Sequence, residues 1–310
     1  MRNTDYPDAQ YLAILALVCG DIMLKNFQLG MKKKWKSDET PLTASDVAIN
    51  KLVIDRISES YPKVRIIGEE GSHEVPDAEY TVLCDPVDGT IPFSLGIPVS
   101  AFCISVIKGN QPLSAVIYDP FQKRMWVAEK GKGCRLYAGH ECSVCEESPD
   151  PSYAPSNEWF PCLGGYGEPV TVSKHQTVHR SNICMVWWKN SGYELHDVCK
   201  ELMDAGAKWM NPCSIAYFGG LVASGELEAT IFPGNCGWET AAMQLIVEEA
   251  GGKVTDIFGM PMKYGPKGQI SGHIISNGLV HDELVAMVTK VIAEKAKEKF
   301  RIFSDEPPSC

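Results

Sequence analysis

The chain has 310 residues, 45% hydrophobic and 22% charged, which is enough apolar material for one large domain or two lobes and excludes a disordered chain. Its formal net charge of −10 disfavours binding to a nucleic-acid backbone, and no apolar run is as long as a membrane span. No signal-peptide cleavage site follows the apolar run at residues 11–19. The twelve cysteines are scattered through a chain too large to need a disulfide framework. We therefore expect a cytoplasmic protein.

The first half of the chain has the pattern of two helices followed by a sheet. Helices are predicted over residues 9–28 and 45–58, and Ser45 or Asp46 is the expected cap of the second. Two strands and an antiparallel meander come next. The predicted strands are residues 64–67, 80–84, 101–107, 113–118 and 125–129.

The second half begins after an inserted loop at residues 133–168, which is rich in proline and cysteine. Strands are then predicted at residues 183–188, 227–232, 253–256 and 274–276, and helices at residues 193–205, 239–250 and 282–297, with a further helix from Ser214. This alternation predicts a mixed α/β layered architecture. We expect one domain with an N-terminal half (1–175, carrying the insert at about 134–167), a C-terminal half (176–303) and a disordered tail (304–310).

Acidic side chains follow two neighbouring predicted strands. The motifs are Gly-Glu-Glu at residues 68–70 and Asp-Pro-Val-Asp-Gly-Thr at residues 85–90. Strand ends present side chains to a cleft, and hard cations such as Mg²⁺ prefer carboxylate oxygens. The sequence therefore predicts a metal site for phosphate chemistry, in which Asp85, Asp88 and the Val87 carbonyl face one side of a turn.

These motifs, together with Gly-Trp-Glu-Thr-Ala-Ala at residues 237–242, resemble the three signatures of the inositol monophosphatase family. Residues 36–46 and 248–252 are also similar to that family, and the resemblance covers about residues 9–288 apart from the insert. It implies an αβαβα sandwich of the inositol monophosphatase and fructose-bisphosphatase type. It also implies Mg²⁺-dependent, Li⁺-sensitive hydrolysis of a phosphate monoester, and a homodimer.

The resemblance implies metal ligands by motif position. Glu69, Asp85 and the Val87 carbonyl would hold a first Mg²⁺ ion. Asp85 would bridge to a second ion, which Asp88 and Glu239 would also bind. A weaker third ion near Glu69 is a further implication of the family.

The resemblance also implies catalytic and substrate-binding residues. Thr90, with Glu69 or Asp46 behind it, would orient the attacking water. The residues expected to contact the small phosphorylated substrate are Asp88, Gly89, Thr90, Ser214 and Glu239. For Ser214, a helix start suits an anion, and the alternative is a helix cap in the core.

Two departures from the family pattern leave the substrate open. The family has Asp in its third motif where this chain has Glu239, and inositol-specific members have Glu where this chain has Phe232. We therefore predict a Mg²⁺-dependent phosphomonoesterase acting on a small metabolite. The alternatives are a 3′(2′),5′-bisphosphate nucleotidase, a histidinol-phosphatase, a fructose-bisphosphatase-like enzyme and a non-catalytic binding or regulatory homologue.

The insert contains a second candidate metal site. Cys142 and Cys145 form a C-x₂-C pair, and Cys134 and Cys162 flank it. Four thiolates suit structural Zn²⁺, although the second pair lacks the usual spacing. The alternative is a loop with free thiols.

Overall fold

The computed structural model describes residues 4–36, 39–138, 167–188 and 191–304, whose helices and sheets stack in five layers. Two helices cover the outer face of a large sheet, and two more lie between it and a smaller sheet. A last pair covers the outer face of the smaller sheet. In layer order the helices are α1 (Ala9–Asn26) and α2 (Ala44–Ser60), then α5 (Ile215–Ala223) and α6 (Thr240–Glu249), then α4 (His196–Asp204) and α7 (His281–Ser304). The expected αβαβα sandwich is confirmed.

The large sheet has eight strands, in the order β10-β9-β8-β7-β6-β5-β3-β4. They are β3 (Arg65–Gly68), β4 (Gly71–His73), β5 (Thr81–Asp88), β6 (Ala101–Lys108), β7 (Gln111–Asp119), β8 (Arg124–Glu129), β9 (Cys134–Ala138) and β10 (Glu168–Pro169). Neighbouring strands are antiparallel except β3 and β5, which run parallel with Gly68 opposite Cys84. The next residues along the two strands, Glu69 and Asp85, therefore lie at the same edge.

The small sheet has five strands, in the order β12-β11-β13-β15-β14. They are β11 (Asn182–Met185), β12 (Lys208–Met210), β13 (Ala229–Phe232), β14 (Lys253–Thr255) and β15 (His273–Ser276). Strands β12, β11 and β13 are parallel. Helix α5 connects β12 to β13, so its N-terminus lies at the carboxyl end of the parallel strands, where α/β sheets bind ligands.

Two small elements complete the described chain near the acidic motifs. A hairpin of β1 (Lys34–Trp35) and β2 (Pro41–Leu42) lies between α1 and α2, and the short helix α3 (Thr90–Ser94) follows β5. Strand β2 contacts α3. The hairpin is thereby held close to the end of β5.

Helix α1 is the one described helix that is long and apolar enough to cross a membrane. In the fold, 56% of its residues are buried, and it packs on β6, β7 and β8 through side chains such as Leu12, Leu15 and Met23. Its apolar composition is thus accounted for by the core between the first helical layer and the large sheet.

The start of helix α2 differs from the prediction. Its cap is Thr43, not Ser45 or Asp46: the Thr43 side chain accepts a hydrogen bond from the Ser45 N–H, at 3.2 Å. The Asp46 carboxylate reaches back and accepts from the Thr43 N–H at 2.8 Å, which completes a capping box. Asp46 therefore has a structural contact at this helix start.

The insert begins and ends in regular structure. Cys134 lies in β9, which pairs with β10, and its side chain is buried in the core. Cys142, Cys145 and Cys162 lie outside the described residues, as does the predicted tail beyond residue 304. The strands of the two sheets fall on either side of residue 175, although the division into halves stays a prediction.

Candidate metal and phosphate site

Three distant stretches of chain bring the predicted acids to one place. Asp85 and Asp88 lie in β5, Glu69 lies in the turn after β3, and Glu239 directly precedes α6. Asp85, Asp88 and Glu239 are only 6%, 6% and 4% exposed. Burial raises the pKa of Asp85 well above its ordinary value, and the nearby charges of Glu69, Asp88, Glu239 and Asp46 raise it further. The predicted convergence of carboxylates is present.

The Asp-Pro-Val-Asp motif lies inside β5 rather than after it. The pairing of β5 with β6 shifts register between Asp85 and Asp88, so the strand bulges at Pro86. A bulge tolerates a proline, which cannot donate a ladder hydrogen bond. The bulge also brings the Asp85 carboxylate to 2.9 Å from the Val87 N–H.

Asp88 is bound at the N-terminus of helix α5. Its carboxylate accepts hydrogen bonds from the Ser214 hydroxyl and from the N–H groups of Ile215 (3.0 Å), Ala216 (2.9 Å) and Tyr217 (3.4 Å). Burial raises the pKa of Asp88 to about 6, against the lowering effect of these hydrogen bonds. The anion at this helix start is thus the protein's own carboxylate, and a contact of Ser214 with substrate stays a prediction.

The Thr90 hydroxyl lies between the end of β5 and the start of α2. Its oxygen is 3.0 Å from the Val87 carbonyl oxygen and 3.3 Å from a carboxylate oxygen of Asp46. Burial raises the pKa of the Asp46 carboxyl. Thr90 can therefore donate to Asp46 while its lone pairs accept a hydrogen bond from a water in the site.

Gly89 is required by the geometry at this point. Its φ of +83° lies in the left-handed region, and a Cβ built there would be 2.7 Å from the Ser214 Cβ and 3.0 Å from the Val99 carbonyl oxygen. Any larger residue would separate β5 from the start of α5. Gly89 thus permits the contact between Asp88 and Ser214, and its contact with substrate stays a prediction.

Glu69 forms an ion pair that the sequence did not predict. The Lys36 ammonium is 2.8 Å from a Glu69 carboxylate oxygen and also contacts Glu70. Lys36 belongs to the family-like stretch before α2. No sequence pattern linked it to Glu69 and Glu70, which lie 33 and 34 positions further along the chain. The contact places a cation at the edge of the carboxylate cluster.

Glu239 has a carboxylate oxygen that no described residue contacts by a hydrogen bond. Its Oε2 atom is buried and makes no hydrogen bond among the residues described. Burial raises the pKa of Glu239 well above its ordinary value, and the charges of Asp88 and Glu69 add to the rise. A buried unpaired carboxylate oxygen is costly unless a cation or proton satisfies it.

The donor set fits a hard divalent cation. Within the described ranges, no three acidic, histidine or cysteine side chains are close enough to form a ready-made metal cage. Glu69 is turned to Lys36 and Asp88 to α5, which keeps the like charges apart. The available donors are carboxylates, the Val87 carbonyl and the unpartnered oxygen of Glu239, all of them oxygens as Mg²⁺ prefers.

A cavity of about 450 Å³ opens beside two of the acids. Its lining includes Gly68 and Trp238, the chain neighbours of Glu69 and Glu239, together with Cys236 and Lys267. The sequence did not point to Cys236 or Lys267 because neither belongs to a motif. Glu69, Asp85, Asp88 and Glu239 are not among the described residues that line it, so the cavity is a neighbour of the acidic site and not part of it.

Comparison with known proteins identifies relatives of this chain. The model of the inositol monophosphatase family matches residues 8–295. Histidinol-phosphatase of Mycobacterium tuberculosis is 27% identical over 263 residues, covering 83% of this chain and 88% of the relative. Inositol monophosphatase 1 of Bos taurus is 25% identical over 297 residues, covering 94% and 93%. The fold matches Thermotoga maritima IMPase with a TM-score of 0.73 at 22% identity, covering 91% of this chain and 97% of that one.

Proposed function

We propose, from the premise that this chain belongs to the inositol monophosphatase family, that its buried carboxylates bind Mg²⁺ for the hydrolysis of a small phosphorylated metabolite. The chain is a phosphoric monoester hydrolase. The observation that carries the metal proposal is the buried Glu239 Oε2, which has no hydrogen-bond partner among the described residues and lies near the charges of Asp85 and Asp88. Such a cluster of like charges needs a cation or protons to offset its repulsion.

The proposed ligands follow from the family resemblance by motif position. Glu69, Asp85 and the Val87 carbonyl would hold one ion, Asp85, Asp88 and Glu239 a second, and a weaker third would lie near Glu69. When bound, the ions supply positive charge that offsets the charge of the phosphate and of the leaving oxygen. The α5 N-terminus contributes by fixing the Asp88 carboxylate through its N–H groups.

We propose that Thr90 orients the attacking water and that Asp46 accepts its proton. A water that donates to the Thr90 oxygen is oriented by it, while the Thr90 hydroxyl donates to Asp46. The raised pKa of Asp46 makes its carboxylate a better proton acceptor. The proton lost by the water can thus pass through Thr90 to Asp46.

The end of β13 supports a substrate other than an inositol phosphate. Phe232 lies there, and its ring is 5.9 Å from that of Trp188 and 5.3 Å from that of His273. Inositol-specific members have a glutamate at this position, which can bind hydroxyl groups, whereas Phe232 is buried in the core and has no polar group to offer. We therefore favour the other candidate substrates, histidinol phosphate or a nucleotide, over inositol phosphate.

Phosphate release from a panel of monoesters tests this function. The panel is inositol 1-phosphate, 3′-phosphoadenosine 5′-phosphate, histidinol phosphate and fructose 1,6-bisphosphate, with and without Mg²⁺ and Li⁺. We expect Mg²⁺-dependent release that Li⁺ inhibits. Asp85→Asn should lower kcat/KM at least about 10³-fold, or about 4 kcal/mol of transition-state stabilisation. The surface variant Asp55→Asn is the control and should stay at the wild-type rate.

Two outcomes would contradict the proposal. No Mg²⁺-dependent release from any monoester would favour the non-catalytic homologue. An Asp85→Asn variant within tenfold of wild type would show that Asp85 does not bridge the ions.

A homodimer and a cytoplasmic location complete the proposal. All eight described cysteines are free thiols, as in reducing compartments. Light scattering on the purified protein should give twice the chain mass of 34.1 kDa. A monomer mass at micromolar concentration would rule out a stable dimer.

A further inference from the structure

The residue directly after Glu239 is hydrogen-bonded to a buried histidine. The Thr240 hydroxyl oxygen lies 3.0 Å from Nδ1 of His273, and both residues are fully buried. Thr240 is the first residue of α6, and His273 is the first residue of β15 in the small sheet. The contact therefore fastens the start of α6 to the small sheet, one residue away from a proposed metal ligand.

The residue directly before Glu239 is anchored to the other sheet. The Trp238 side chain packs against an apolar cluster that includes Ile67 of β3 and Leu83 of β5. The same two strands of the large sheet lead to other acids of the site. The backbone of Glu239 is thus held from both sides, by the large sheet through the preceding residue and by the small sheet through the following one.

The direction of the Glu239 side chain is set by the first turn of α6. Its backbone is already helical, with φ −88° and ψ −35°, and its carbonyl accepts a hydrogen bond from the Met243 N–H at 3.1 Å. The side chain makes no capping hydrogen bond to α6, and Oε2 has no hydrogen-bond partner among the described residues. Because a glutamate carboxylate lies farther from the backbone than an aspartate carboxylate, a given tilt of this turn moves it farther.

Burial of the His273 ring is costly for the fold. Its Nε2 atom is buried and has no hydrogen-bond partner in the part of the chain that the structure describes. Burial lowers the pKa of His273 to about 3, so the ring is neutral at neutral pH. An apolar side chain at this position would avoid the cost of the unpaired nitrogen. The bond to Thr240 is the polar contact that distinguishes His273 from such a side chain.

We propose that His273 is a positioning residue that holds the first turn of α6 through Thr240, so that Glu239 faces the proposed divalent ion. The inference deepens the proposed function and rests on it, since it takes Glu239 as a ligand. His273 touches neither the ion nor the substrate in this role. Without the bond to Thr240, the start of α6 is free on the side of the small sheet while Trp238 still holds it on the other side. The carboxylate then shifts without unfolding of the helix.

Calorimetric titration of Mn²⁺ into metal-stripped protein, without substrate, tests this role with two variants of Thr240. Valine has the shape of threonine but no hydroxyl, whereas serine keeps the hydroxyl. We expect Thr240→Val to raise the Kd for Mn²⁺ about three- to tenfold, less than the roughly 10- to 100-fold typical of residues that contact a ligand directly. Thr240→Ser should bind Mn²⁺ with an affinity close to that of wild type.

The small sheet contains a matched control for the loss of a buried threonine hydroxyl. Thr255 lies 3.0 Å from Nε2 of His281 and forms a second buried threonine–histidine pair, which joins β14 to α7 and not to α6. Thr255→Val should lower the Tm, because a buried hydrogen bond is lost, but it should leave the Kd for Mn²⁺ unchanged.

A double-mutant cycle assigns the effect to the hydrogen bond itself. His273→Leu removes the ring and should raise the Kd for Mn²⁺ by the same factor as Thr240→Val. The double variant should show no further rise, because each substitution removes the same interaction. Effects that multiply in the double variant would contradict the proposal.

The outcomes separate this inference from the proposed function. If wild type binds no Mn²⁺, the proposed metal site is refuted and the positioning role with it. If wild type binds Mn²⁺ and Thr240→Val binds it equally well, the positioning role alone is overturned. If Thr255→Val weakens binding as much as Thr240→Val, a general loss of stability explains the effect and the positioning role is also overturned.

Discussion

Glu239 is one methylene longer than the aspartate that the family carries at this motif position. It directly precedes α6, is buried, and leaves one carboxylate oxygen without a partner among the described residues. The extra length changes how far the carboxylate reaches toward Asp88 from the start of the helix. We expect this length to determine how the second ion is held.

Glu239→Asp should therefore change the Mg²⁺ dependence of phosphate release. Shortening the side chain moves the ligand oxygen, so we expect the half-saturating Mg²⁺ concentration to change at least about threefold, while kcat stays within about tenfold because the ligand type is kept. The exposed Glu226→Asp is the control for the same chemical change. An unchanged Mg²⁺ dependence would show that Glu239 is not a ligand.

At single residues, the sequence located the acids but not their partners. Asp85 and Asp88 could be identified because they share one short motif. The partner of Asp88, Ser214, lies 126 residues away, and Lys36 lies 33 residues from Glu69. Contacts over such separations depend on how the layers pack, and local patterns do not encode them.

Among the elements, α7 is joined to the small sheet by a buried histidine. His281 is the first residue of the helix. Its Nε2 atom shares a hydrogen bond with the Thr255 hydroxyl of β14 at 3.0 Å, and its Nδ1 atom shares one with the Ser276 hydroxyl of β15 at 2.8 Å. Burial lowers the pKa of His281 to about 4, with a further lowering by Lys253 that Asp282 partly opposes. The folded protein therefore keeps this ring neutral under mildly acidic conditions.

This junction predicts a pH-dependent loss of stability. Below pH of about 6.5 the unfolded chain binds a proton that folded His281 does not, so the free energy of unfolding should fall by up to about 1.4 kcal/mol per pH unit down to about pH 4. His281→Gln cannot titrate and should show a shallower fall in denaturant unfolding at these pH values. The exposed His196→Gln is the control. Equal slopes in wild type and His281→Gln would contradict the assignment.

Long, strongly patterned elements were predictable, and short ones were not. The antiparallel meander and the apolar helices α1 and α6 were located from their apolar patterns and from the turn residues that bound them. Strand β12 has three residues, too few for a pattern, and β4 contains Gly71, Ser72 and His73, which are poor strand formers. The predicted strand ended at residue 84, whereas β5 continues to Asp88. Pro86 argued against this continuation, because a proline is compatible with a strand only at a bulge or edge.

In the whole molecule, the site forms where the large sheet meets the helical layer between the sheets. The large sheet supplies Glu69, Asp85 and Asp88, and the middle layer supplies Glu239 and the N-terminus of α5. Composition and periodicity indicated a layered α/β protein, whereas the order of the five layers came from the family resemblance. Layer order depends on long-range packing, which the periodicity of single elements does not specify.

This placement predicts a common ion-binding point for three separate chain segments, which a crystal structure of the protein with Mn²⁺ tests most directly. We expect anomalous density between the carboxylates of Glu69, Asp85, Asp88 and Glu239. The same experiment on Asp85→Asn should show weakened or missing density. Wild-type crystals in millimolar Mn²⁺ with no anomalous peak among these carboxylates would contradict the account.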